Sequence, residues 1–132
     1  MTPETANSPT THIPPDELKI WIAVRGDLGM SPGKLAAQCG HGVMGLCEAQ
    51  FRNRDAVFEE YLAGATPKIV VRADTQDQLM QIFKQAQRAN IGAYLVVDAG
   101  RTELASSTPT VCVFGPARRG DLPPLLSRLR WL

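Results

Sequence analysis

Lys34, Gln38 and His41 follow one another at intervals of four and three residues in the stretch GKLAAQCGHG, residues 33–42. At about 100° per residue they fall at roughly 0°, 40° and −20° on a helical wheel, one narrow polar stripe. Leu35, Cys39, Val43 and Leu46 lie on the opposite side. Gly42 and Gly45 land on or beside the stripe, where a solvent-facing helix ordinarily carries Glu, Lys or Gln. Polar residues along one face are in themselves what any amphipathic helix shows. Interior glycines, however, cost about 0.5–1 kcal/mol each relative to Ala. Gly40, Gly42 and Gly45 together therefore point to close approach of a ligand or another backbone. The expectation is a cleft wall of ammonium, carboxamide and imidazole with cleared ground beside it.

A second stretch, VVDAGRTELASSTPTV, carries Asp98, Arg101 and Thr102 within five residues. Asp98 closes an apolar run, and in open α/β sheets ligands bind at the carboxyl ends of strands. Asp-Ala-Gly-Arg is equally acceptable turn chemistry. Ser106, Ser107, Thr108 and Thr110 add four hydroxyls, in what is either a polar loop or part of a site. Cys39 and His41 project about 160° apart on a helix, and no second Cys/His cluster exists, so neither a metal nor a cofactor is expected. Ser106 or Ser107, His41 and Asp98 make a triad only on paper, because no nucleophile-elbow signature accompanies them.

These residues need elements to hold them. LKIWIAVR (18–25) alternates and is rich in β-branched and aromatic residues, the pattern of a strand. A Gly- and Pro-marked loop follows, with Ser31 as N-cap and Pro32 in the first position of a helix running to about Arg52. A short helix over 55–62, capped by Asn53 or Asp55, precedes a strand over 67–73. Asp74 is read as N-cap, with Asp77 in the capping-box position, of a helix ended by Asn90 and Gly92. Strands follow over 93–98 and 108–116, and Pro123-Pro124 opens either a short helix or an edge strand. The order implies an α/β layered domain with a mixed sheet. The strands after Pro67 and Ala93 read as buried on both faces, with helices on both sides. Residues 1–18 read as a disordered Thr/Pro-rich tail without the features of a targeting signal, and 19–132 as one domain.

The chain's 132 residues carry a net charge of +1, but residues 19–132 hold all 14 basic and only 10 of the 13 acidic groups, a balance of +4. That permits nucleic-acid binding without the basic stripe of a dedicated binder. No apolar run approaches the roughly 20 residues of a membrane span, and three cysteines, an odd count, are expected as free thiols in a reducing compartment, the cytoplasm.

Taken together, DLGMSPGKLAAQCGHG and VVDAGRTELASSTPTVCVFGP resemble the type 2 peptidyl-tRNA hydrolase family over residues 19 to 132, with PKIVVRADTQDQL matching its middle strand and helix. The resemblance implies a single three-layer α/β/α domain with a mixed four-stranded sheet, often a homodimer, that hydrolyses the ester between a peptide and the 3′ ribose of tRNA. It implies catalytic roles for Lys34, Gln38, His41, Asp98 and Thr102, and substrate contacts from Arg101, Thr110 and Gly42. The family's additional Lys near Ser31-Pro32 is missing, which removes a phosphate contact, and Ser107 stands where Gly is usual. An aspartate beside a lysine is a weak base at neutral pH. Asp98 is therefore expected to orient water and balance Lys34, with Lys34 stabilising developing charge, Gln38 and Thr102 fixing water or carbonyl, and His41 buttressing the site or shuttling a proton. The alternative is a catalytically impaired relative that binds RNA or protein.

Overall fold

The computed structural model describes residues 16–98 and 107–132. Arg101 and Thr102, and nearly all of the Thr/Pro-rich tail, lie outside them.

Strand β1 (Lys19–Arg25) is buried along its whole length, with Ile20, Ile22 and Val24 on one face and Trp21 and Ala23 on the other. Helix α1 (Pro32–Arg52) starts as expected: Ser31 accepts from the Lys34 backbone N–H, and Pro32 occupies the first turn, where it has no hydrogen bond to lose. Helix α2 (Ala56–Leu62) is capped by Asp55, the second of the two candidates, through the N–H groups of Val57 and Phe58. Strand β2 (Lys68–Ala73) and helix α3 (Gln76–Arg88) follow. The cap of α3 is Thr75, not Asp74. The Thr75 hydroxyl accepts from Gln78 N–H, and the Gln78 side chain accepts from the Asp74 N–H at 2.5 Å, one residue before the cap, so the cap lies one residue later than expected and the reciprocal bond goes to its predecessor. Asp74 instead takes the guanidinium groups of Arg72 and Arg130. Asn90, at φ 58°, makes the left-handed turn after the helix.

Strands β3 (Ala93–Asp98) and β4 (Thr108–Ala117) complete one four-stranded sheet of order β2-β1-β4-β3. β1 and β2 are parallel, joined by a crossover through α1 and α2, and β4 is antiparallel to both β1 and β3. The sheet is therefore mixed, in a single α/β domain. β1 and β4 are the strands buried on both faces. β2 and β3 lie at the edges and alternate in burial, which corrects the sequence expectation: an apolar run states how much of a strand is covered, not where in the sheet it lies.

One face of the sheet packs Trp21, Ile69, Val71, Cys112 and Phe114 against Leu79, Ile82 and Ala86 of α3 and against Leu126. The other packs Leu18, Ile20, Ile22, Val24, Val96, Val111 and Val113 against Leu46 of α1 and Phe58 and Tyr61 of α2. Of the two alternatives for the C-terminus the short helix occurs, followed by an isolated bridge of Trp131 to Val71 and not by an edge strand. Helix α4 (Pro124–Ser127) forms first. Arg72 N–H then donates to the Arg130 carbonyl and Leu132 N–H to that of Val70, so the chain end shields the β2 edge.

Candidate active site

The first turn of α1 brings Lys34 to the carboxyl end of β3, where its Nζ donates to Asp98 Oδ1. The two side chains are 8% and 4% exposed. One turn on, Gln38 Nε2 donates to Thr110 Oγ1 at 2.9 Å, and the Thr110 hydroxyl donates to the Val96 carbonyl at 3.3 Å. Two polar links thus join the helix to β3 and β4. The polar stripe is divided: Gln38 lies with Gly42, Leu46 and Gln50 on the buried line of α1 that faces the sheet, and the Lys34 side chain is tucked in beside Asp98. His41 is exposed and lines the same cleft as Lys34, Gln38 and Asp98. The structure thus brings together Lys34, Gln38, His41, Asp98 and Thr110, contributed by one helix and two strands.

A strand irregularity aims Thr110. Val96 lies opposite Val111 and Val97 opposite Pro109, which leaves Thr110 as the extra residue of a β-bulge. Such bulges bend a strand and redirect a side chain, here the hydroxyl toward α1. The carbonyl just before the bulge, that of Pro109, accepts from Arg25 Nη1 at 3.2 Å. Arg25 is itself clamped by Asp27, through Nε to Oδ1 at 3.0 Å and Nη2 to Oδ2 at 2.8 Å, and Nη1 also reaches Gln76 Oε1 at 3.3 Å. The Arg25 hydrogen bonds hold the Asp27 carboxyl below the usual carboxylate range. This brace ties the end of β1, the loop leading to α1 and the start of β4 together behind the site. Sequence reasoning missed it. Its signal was an arginine closing the apolar run IWIAV with an acid two residues later.

Gly42 and Gly45 clear space for the protein itself, whereas Gly40 is exposed and a Cβ there would meet nothing within 4 Å, contrary to the close approach expected of it. A Cβ on Gly42 would lie 2.4 Å from Val113 Cγ2 and 3.2 Å from Val96 Cγ2, so Gly42 lets α1 settle on the sheet. It is buried there and does not face the cleft, contrary to the expected substrate contact. A Cβ on Gly45 would lie 2.5 Å from the Tyr94 ring, which occupies that ground. Ser107 has φ 64°, a left-handed conformation that glycine adopts without cost.

The cleft holds about 510 Å³ and is lined by α1 from Lys34 to Glu48 and by β3 from Tyr94 to Asp98. Burial pushes the Cys112 thiol up to about 12 and raises Cys39 and Cys47 too, so none of the three is a thiolate at neutral pH. Among the described residues no three His, Cys, Asp or Glu side chains are grouped to hold a metal ion, and no helix is long and apolar enough to cross a membrane. An ammonium and a carboxylate in contact, open to a cleft and flanked by a carboxamide and a hydroxyl, can steady a polar intermediate and orient a water molecule.

A mixed α/β sheet with helices on both faces and a charged pair at the strand ends defines a small α/β protein with a polar, enzyme-like site. The chain belongs to the family described as peptidyl-tRNA hydrolase PTH2, which matches residues 18–132. It is similar to the probable peptidyl-tRNA hydrolase 2 of Drosophila melanogaster, 35% identical over 117 residues that cover 89% of this chain and 63% of the fly protein. It is 38% identical to the peptidyl-tRNA hydrolase of Methanopyrus kandleri over 111 residues, 79% of this chain and 95% of the archaeal one. With the mitochondrial peptidyl-tRNA hydrolase 2 of Mus musculus it shares 36% over 100 residues, 76% of this chain and 55% of that protein. The chain thus spans somewhat more than half of the animal relatives and nearly all of the archaeal one.

Proposed function

We propose that the chain hydrolyses the ester bond of peptidyl-tRNA, releasing free tRNA and peptide. The observation that carries this reading is the Lys34–Asp98 contact, buried on the protein side and open to the cleft. Ester hydrolysis needs an oriented water, charge stabilisation of a tetrahedral oxyanion and a proton for the departing ribose hydroxyl. In this reading Asp98 orients the water and Lys34 faces the oxyanion. Gln38, through its bond to Thr110, fixes the helix against the strands so that the pair holds its geometry. His41, exposed on the next turn, lies within the cleft as a buttress or proton carrier. Arg101 and Thr102, adjacent to each other and close to Asp98 in sequence, complete the proposal, Arg101 as a contact to substrate and Thr102 fixing the water or carbonyl.

The family resemblance and the names of the relatives support the substrate. The three free thiols suit a reducing compartment, and the proposal places the reaction in the cytoplasm, in a homodimer that binds tRNA through its phosphates. The test is the purified chain on N-acetylated peptidyl-tRNA with a chelator present. Release of deacylated tRNA is expected. Saturable tRNA binding with no ester cleavage would replace this reading with that of a catalytically impaired RNA-binding relative.

A further inference from the structure

The cleft is longer than its reacting end. Lys34, Gln38, His41, Gly45 and Glu48 recur at intervals of four, three, four and three along α1, and all of them line it. That stretch measures about 21 Å at about 1.5 Å per residue. Its opposite wall is β3, from Asp98 back to Tyr94. The far half differs in character from the near half. Met44 is 71% exposed, and the Tyr94 ring, accommodated because residue 45 is glycine, is 41% exposed. Among the described residues the charged side chain lining this half is an acid, Glu48, whose partner Arg52 lies a turn further on, outside the lining.

β3 is also an open edge among the described residues. Gly115 N–H donates to the Gly92 carbonyl, and the pairing continues unbroken to Val96 opposite Val111. In an antiparallel ladder alternate residues then face the partner strand, so Tyr94 and Val96 bond toward β4, and the backbone groups of Ala93 and Leu95 point to the open side. A peptide-bearing substrate varies in its side chains but not in its backbone. An open strand edge beside a shallow apolar floor binds extended chain in that sequence-tolerant way.

Among the described residues, Arg52 is held by Glu48 at the far end of the groove, and other exposed cations lie away from it. Arg72 and Arg130 gather around Asp74 just past the carboxyl end of β2, the sheet end that also holds the Lys34–Asp98 pair but on the side away from β3. A polyanion is favoured by that rim and not by an apolar groove ending in Glu48.

We propose that the groove between α1 and the open edge of β3 receives the peptide portion of the substrate, extended and leading away from the Lys34–Asp98 pair toward Tyr94 and Glu48. This rests on the hydrolase reading above. At about 3.3 Å per residue the groove accommodates about six residues.

The experiment is kcat/KM for N-acetylated oligoalanyl-tRNAs of one to eight residues, with wild type, Tyr94→Ser and Met44→Ser. Wild type is expected to gain about tenfold up to five or six residues and then level off. Both variants are expected to flatten that rise through KM. Hydrolysis by wild type with no dependence on peptide length overturns the groove assignment alone, and failure to hydrolyse any of the substrates overturns the hydrolase reading with it. The tRNA arm is the competing occupant. If Glu48→Arg tightens binding of deacylated tRNA and steepens its salt dependence, the groove holds nucleic acid and the assignment is wrong. Unchanged salt dependence supports the peptide.

Discussion

Replacing Asp98 by Asn keeps the shape of the side chain and removes its charge, which leaves the Lys34 ammonium without the carboxylate it contacts. Lys34 is only 8% exposed. Removing one partner of a buried pair costs about 3–5 kcal/mol. Lys34 lies in the first turn of α1 beside an open cleft, and its four-carbon stem can swing the ammonium to water, so the lower end, about 3 kcal/mol, is expected. The helix dipole adds to the argument. A cation at a helix N-terminus is disfavoured by about 0.3–1 kcal/mol, and the first turn contains no acid to offset it. The pair is therefore a poor way to stabilise this fold. The double variant Lys34→Met/Asp98→Leu is expected to recover to within about 1 kcal/mol of wild type, or to exceed it. It is also expected to lose hydrolysis of peptidyl-tRNA. Urea unfolding followed by circular dichroism measures the stability of the single and double variants, and release of deacylated tRNA measures the hydrolysis. An Asp98→Asn variant within about 0.5 kcal/mol of wild type, or a double variant less stable than the single one, would refute the reasoning that the pair is buried at a cost and kept for chemistry.

Gly42→Ala is expected to destabilise by about 1–3 kcal/mol through its contact with Val113, and Val113→Ala in the same chain should recover part of the loss; an unchanged thermal midpoint for Gly42→Ala contradicts the packing account. Ser107→Gly should stabilise by about 0.5–1 kcal/mol, the left-handed strain relieved less the entropy glycine adds to the unfolded chain, and destabilisation in the same unfolding assay would count against it. Because Arg25 lowers the Asp27 pKa in the folded state, the stability Asp27 contributes is present above its unfolded value of 3.8 and lost as pH falls through the folded one. Asp27→Asn should therefore be less stable than wild type at pH 7, and the two should converge in acid; a gap that persists at pH 2 would mean that the ion pair is not its source.

The Lys34, Gln38, His41 spacing showed from sequence that three polar groups share a helix face, and Ser31-Pro32 showed where that helix begins. Neither showed which way the face turns. A wheel orders residues around an axis, but burial is decided by partners that are remote in sequence, here Asp98 at 64 residues from Lys34 and Thr110 at 72 from Gln38. Gly42 and Gly45 were legible as close approach but not as approach by Val113 and Tyr94, because either a ligand or a strand leaves the same vacancy in the sequence. The bulge at Thr110 has no sequence mark of its own, since it exists only in the register between β3 and β4. The two edge strands read as buried on both faces because their apolar content reflects one well-packed face and a partly covered other. The brace of Arg25 and Asp27 was passed over because a charged residue at a strand end is commonplace until its acceptors, Pro109 and Gln76, are known.

The most direct test of the account is single-turnover hydrolysis of peptidyl-tRNA by Lys34→Ala and Asp98→Ala, each first shown to be folded by circular dichroism. If the pair orients water and steadies the oxyanion, each rate falls by a factor of about 100 or more. Wild-type rates from both folded variants would contradict the account.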